Sequence, residues 1–152
     1  MTSPSTRLRE LGLTLPSVAP PAGSYVPARR SGALVFTAGQ VPFVDGSLAT
    51  TGKVGAEVTP EEGRDLARTC ALNALAAIDA LVGLDAVAGV VKVVGFVASA
   101  PGFTGQPGVI NGASDLLADV FGEAGRHARS AVGVAELPLG APVEVELVVE
   151  LA

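Results

Sequence analysis

The sequence predicts an α+β domain in which two helices pack on one face of a mainly antiparallel sheet. Three observations carry that expectation. From Val143 to Leu151, Val and Leu alternate with Glu144, Glu146, Val148 and Glu150, the period of two of a strand with one apolar face. From Pro60 to Val82, the residues Leu66, Cys70, Ala74 or Leu75, Ile78 and Leu81 recur instead at helical spacing. Val-rich and Ala-rich runs around the helical stretches complete the order β-β-α-β-α-β-β.

The 152 residues suffice for one domain with a sizeable core. Hydrophobic residues make up 49% and charged ones 16%, which argues against disorder. Aromatics are only 4%, and 19 glycines accompany the Val, Ala and Leu, so close backbone packing and some burial by self-association are expected. A net charge of −5 without a long basic run gives nucleic-acid binding little support. A single cysteine, Cys70, rules out an internal disulfide and fits a reducing cytoplasm. Residues 1–20 lack an apolar signal core, and the apolar run Val87 to Ala100 is too short to span a bilayer and contains Lys92.

In chain order, Met1 to Thr6 is expected to fray and Thr6 to Leu11 to form a short helix stopped by Gly12. A Pro/Ala linker runs from Pro16 to Gly23, so residues 1–22 are read as an extension to a domain of residues 23–152. Tyr25 to Arg30 and Ala33 to Ala38 read as a hairpin across Ser31-Gly32, and Thr51 to Val58 as a short edge segment. Thr59, Pro60 and Glu62 form a capping box with Pro in the first turn, and the cap contributes about 1 kcal/mol. Val87 to Ser99 reads as a strand covered on both faces, because its apolar run is nearly continuous. Pro101 to Gly112 reads as a loop. Ser114 then caps a second helix, with Leu116, Leu117, Val120 and Phe121 inward and Gly122 or Gly125 ending it. Ala128 to Ala135 and Val143 to Leu151 are the closing strands, joined through Pro138, Gly140 and Pro142.

Familiar catalytic signatures are absent, with no GxSxG, HExxH, CxxC or phosphate loop. One His and one Cys far apart give no metal site. His127 reads as a surface or interface residue and Cys70 as a buried inert thiol. Glu144, Glu146 and Glu150 read first as a solvated face, and Tyr25 as a packing aromatic. Arg129 stands apart. A guanidinium within a run of Ala, Val and Gly either snorkels to water or waits in a cleft for an anion.

GSYVPA (23–28), LVFTAGQVP (34–42), ARSAVGVAELP (128–138) and PVEVELVVE (142–150) closely resemble the YjgF/RidA (L-PSP) family of imine/enamine deaminases, over roughly Gly23 to Ala152. The GKVGAEVTPEEG and FTGQPGVINGASDLLADVF blocks look like a particular subgroup that also carries an N-terminal extension. The resemblance implies a chorismate-mutase-like α+β fold and a homotrimer, with small carboxylates or keto acids bound in clefts between subunits. It implies that Arg129 grips the substrate carboxylate, that Glu144 activates water, and that Tyr25, Ala38, Gly39, Asn111 and Ala131 line the pocket. No cofactor is implied, since an imine is already electrophilic. The chain departs from the family pattern at Ala38, where TAGQ replaces TSGQ, and at Ala131, which stands where a cysteine is common. The expected function is hydrolysis of 2-imino acids to 2-keto acids and ammonia. A non-catalytic carboxylate-binding trimer is the alternative that the two alanines favour, and a ribonuclease or translation inhibitor is a distant third.

Overall fold

The computed structural model describes residues 2–152. Its helices are α1 (Pro4–Glu10), α2 (Pro60–Val82) and α3 (Gln106–Phe121). Its strands are β1 (Ala28–Ser31), β2 (Leu34–Thr37), β3 (Val87–Ala98), β4 (Ala128–Val134) and β5 (Val143–Leu151). The strands form one sheet in the order β1-β2-β5-β3-β4, antiparallel except for the parallel β3–β4 pair. Helices α2 and α3 pack together and bury the sheet face that carries Val35, Val93, Val97, Val143, Val145, Leu147 and Val149. Among the described residues, no helix is long and apolar enough to cross a membrane. This is the α+β fold expected of a chorismate-mutase-like chain.

Helix α2 starts and stops where its sequence signals stand. Thr59 Oγ1 accepts from the Glu62 N–H at 3.1 Å, Glu62 reaches back to the Thr59 N–H at 3.3 Å, and Gly83 ends the helix with φ of 82°. Its buried surface is broader than the expected stripe and made mostly of small residues, Gly63, Ala67, Cys70, Ala71, Asn73, Ala74, Ala76 and Ala77 beside Leu75 and Ile78, so that the helix is covered all round from Asn73 to Ile78. Leu66 is only half-buried, and Leu81 is 46% exposed, beyond the edge of α3 and the sheet. At the N-terminus, Ser3 caps α1, which begins two residues before the expected start and buries Leu8, while Met1 lies outside the described residues.

Four expectations fail locally. The first strand begins at Ala28 rather than Tyr25, because Pro27 supplies no N–H and its carbonyl instead accepts from Ala38 N–H at 2.8 Å. Residues 51–58 form no strand, only bridges from Val54 to Val58 and Ser99. The expected loop before Ser114 is helical from Gln106 onward, so Ser114 lies inside α3 rather than capping it. Pro107 sits in the first turn, where its missing N–H costs nothing. Gly112 breaks nothing either, since it lets the backbone of α3 approach α2. A Cβ there would land on the Arg64 carbonyl.

The fourth concerns β3, expected to be covered on both faces. Two register shifts against β5, after Val87 and after Val90, are β-bulges. They turn Val87, Val90 and Val93 all toward the helices and leave the bulged Val91 41% exposed. Within one chain the continuous apolar run thus reflects both irregular pairing and a second face that α2 and α3 leave open. On the side away from the helices, Phe36 and Val132 are 45% and 44% exposed.

Candidate functional site

Cross-strand rows fix which face each functional side chain takes. Val93 pairs with Leu147 on one side and Arg129 on the other, so Arg129 shares the helix-covered face with those two buried residues. Glu144 pairs with Phe96, which pairs with Val132, and that row belongs to the open face. Arg129 and Glu144 thus stand on opposite faces of the sheet in one chain.

Glu144 lies in a cavity of about 390 Å³ at the end of the sheet. Tyr25 and Gly39 line it too, beside an apolar wall of Pro20, Pro21, Pro27, Val41, Phe43 and Leu139. The cavity owes its shape to local irregularity. Between the Phe36–Val148 and Gln40–Val145 pairs, the chain after β2 carries one more residue than β5, and Gly39 occupies the bulge. A Cβ on Gly39 would collide with the Glu144 carboxylate, so glycine lets the backbone lie against that group. Tyr25 Oη accepts from the Ala22 N–H at 3.1 Å, which ties the linker to the cavity rim. From α2, the buried Asn73 amide donates to the carbonyls of Val41 at 3.1 Å and Phe43 at 3.0 Å, pinning the opposite wall.

Burial raises the Glu144 carboxyl above its ordinary 4.5, and the charge of Glu146, two residues along the same face, raises it further. Burial raises Glu146 as well. A half-buried carboxyl held above its usual range suits proton transfer near neutral pH. Cys70 lies beneath, fully buried, its thiol raised well above 9.0 by burial and then by the Glu144 charge, which makes it inert.

Arg129 reaches across to α3. Its Nη1 donates to Asn111 Oδ1 at 2.8 Å and to Ser114 Oγ at 3.2 Å, and its Nη2 donates to the Pro107 carbonyl at 3.3 Å. Among the described residues, no carboxylate lies within ion-pair reach of it. Asn111 therefore joins Arg129, on the side away from Glu144. Ala131 shares the Arg129 face, partly buried against the core. Ala38 precedes Gly39 without lining the cavity. Sequence reasoning missed Asn73, and it read Ser114 as a helix cap and His127 as a surface or interface residue, where the structure links both to Arg129 by hydrogen bonds. Asn73 left a trace, a lone amide in the small-residue run ALNALAAI on the buried side of α2. Among the described residues, no three of His, Cys, Asp or Glu converge to hold a metal ion.

Comparison with known proteins gives consistent relatives. The family model described as "YjgF/chorismate mutase-like, putative endoribonuclease" matches residues 5–151. Protein TCP17 of Trypanosoma cruzi is 50% identical over 149 residues, covering 97% of this chain and 93% of its own. A crystal structure from Shewanella oneidensis MR-1, titled a "putative endoribonuclease", superposes with a TM-score of 0.94 at 36% identity, covering 99% of this chain and 100% of its own. The structure of E. coli TdcF with bound serine is similar at 26% identity and a TM-score of 0.66, over 91% of this chain and 96% of its own.

Proposed function

Because the chain belongs to the YjgF/chorismate mutase-like family, we propose that it hydrolyses 2-imino and enamino acids to 2-keto acids and ammonia at a site between subunits. The observation that carries this reading is the division of the site into two complementary halves on opposite sheet faces. One half offers a guanidinium without a counter-charge, and the other a half-buried carboxyl beside a glycine and a tyrosine. A head-to-tail ring of identical subunits places one half of each copy against the other half of its neighbour. The homotrimer expected for this family is such a ring. Exposed Phe36, Val91 and Val132 give its contacts an apolar surface. Serine in the TdcF structure supports a small ligand with a carboxylate.

In the joined site, Arg129 anchors the carboxylate of the imino acid in a bidentate pair. Water adds to the imine carbon while Glu144 takes its proton and returns one to the nitrogen. The resulting carbinolamine breaks its C–N bond, releasing ammonia and leaving the keto group. The test generates 2-aminoacrylate with a lyase and follows keto acid and ammonia. Arg129→Ala should abolish acceleration over buffer, and equal rates for the two proteins would refute the reading.

Ala38 and Ala131 favour a second reading, a trimer that binds small carboxylates without turning them over. Ligand-dependent thermal shifts without product would support it. Ribonuclease activity, which the relatives' names suggest, has poor electrostatic support at a net charge of −5.

A further inference from the structure

Behind Arg129 lies a chain of hydrogen bonds whose direction can be read atom by atom. His127, the only histidine in the sequence, holds Nδ1 at 2.6 Å from the Gly125 carbonyl oxygen. A carbonyl oxygen only accepts, so Nδ1 carries the ring hydrogen. In the neutral ring Nε2 is then a bare acceptor, and Ser114 Oγ lies 2.9 Å from it. The serine hydroxyl therefore donates to His127 and keeps its lone pairs for the Arg129 Nη1 donor at 3.2 Å. With Asn111 and the Pro107 carbonyl, these bonds occupy three of the five N–H donors of the guanidinium. The Nε hydrogen and one on Nη2 have no acceptor within the chain and are left for a ligand carboxylate.

We propose that Ser114 and His127 are positioning residues for Arg129, a one-way relay that holds the guanidinium ready for a ligand carboxylate only while the imidazole is neutral. This rests on the reading of Arg129 as the carboxylate anchor. Protonation places a hydrogen on Nε2, aimed at the oxygen that Arg129 already uses. The hydroxyl can no longer donate to the ring, and a second cation stands one serine away from the first.

The surrounding charges do not relieve that conflict. On α3, Asp115 pairs with Arg64 and Asp119 with Arg68. After α3, Glu123 pairs with Arg126. On β3, Lys92 pairs with Ala128 in a row of the open face, away from the imidazole. Among the described residues, no carboxylate pairs with His127.

A lone histidine gives a single imidazole spin system, so nitrogen NMR of the full-length protein reads its tautomer directly. The Nδ1–H form is expected at pH 8. Pyruvate, a stable keto acid, serves as the binding probe. Ser114→Ala should weaken its binding about three- to ten-fold, the net worth of one ordinary hydrogen bond, since the lost bond orients Arg129 and does not touch the ligand. Wild-type binding should weaken on acidification, once Nε2 carries a hydrogen. His127→Gln, whose amide oxygen can accept from Ser114 at any pH, should lose the acid dependence. An Nε2–H tautomer, or Ser114→Ala binding as tightly as wild type while Arg129→Ala does not bind, would overturn the relay and leave the anchor standing. Undiminished binding by Arg129→Ala would instead overturn the anchor, and the relay's purpose with it.

Discussion

Gly112→Ala is the sharpest test of how α3 is held, and through α3 of how Asn111 and Ser114 reach Arg129. The added methyl meets the main-chain carbonyl of Arg64 in α2, an obstacle that cannot rotate aside. Overpacking of this kind costs about 1–3 kcal/mol, and a backbone obstacle belongs in the upper half of that range. Alanine returns about 1 kcal/mol of helix propensity relative to glycine. The net destabilisation is therefore about 1–2 kcal/mol, a fall of roughly 2–8 °C in Tm for a chain of this size. Because α3 must move away from α2, carboxylate affinity should fall together with stability. Calorimetric melting and pyruvate titration of the same preparations measure both. An unchanged or higher Tm would show that the two helices do not approach through Gly112, and the placement of α3 would need revision.

Glu144→Gln should raise Tm at neutral pH and abolish turnover. A carboxyl raised in the folded state binds its proton more tightly there than in the unfolded chain, so its contribution to stability declines as pH rises from 4.5 through the raised value. The advantage of the glutamine variant should fade as the pH drops below 4.5, where folded and unfolded carboxyls both become protonated, and an advantage independent of pH would refute this cause. Cys70 should resist thiol reagents in the native protein and react only at the rate of unfolding, so rapid native labelling would contradict its burial. Val132→Asp places a charge on the open sheet face and should lower the assembly mass measured by light scattering. Unchanged mass would exclude that face as the subunit interface.

Long regular elements were legible because local signals and packing agree in them. The capping box at Thr59 and Glu62 located α2 to the residue, and the alternation of β5 survives intact because a covered face and an open face really do flank it. Legibility failed where glycine and proline serve close approach instead of a turn. Gly112 and Pro107 look like loop residues until α2 is seen lying against α3. The bulges of β3 also escaped, since a shifted register leaves no mark in a run made almost wholly of Val, Ala and Gly. At the site, Arg129 was conspicuous as a cation among apolar residues. Which face it takes relative to Glu144 depends on cross-strand register, which no single strand records.

The two glutamates also decide between a solvated sheet face and a site. Alternating acids on a strand usually mean simple exposure, and Glu150, which is exposed, fits that account. Glu144 and Glu146 do not. Both are half-buried, burial lifts both carboxyls, and each sits two residues from a like charge. No cation pairs with either among the described residues. A chain selected for stability alone would place Gln or Thr there without loss of strand pairing. Gly39 sharpens the point, because its missing side chain leaves room for the Glu144 carboxylate and nothing else nearby needs it. An arrangement that costs stability, crowds like charges and reserves a glycine for one carboxylate is what the proposed proton-transfer role of Glu144 calls for. On the proposed reading its complement is Arg129, which stands on the opposite face of the sheet and is brought to it by a second copy.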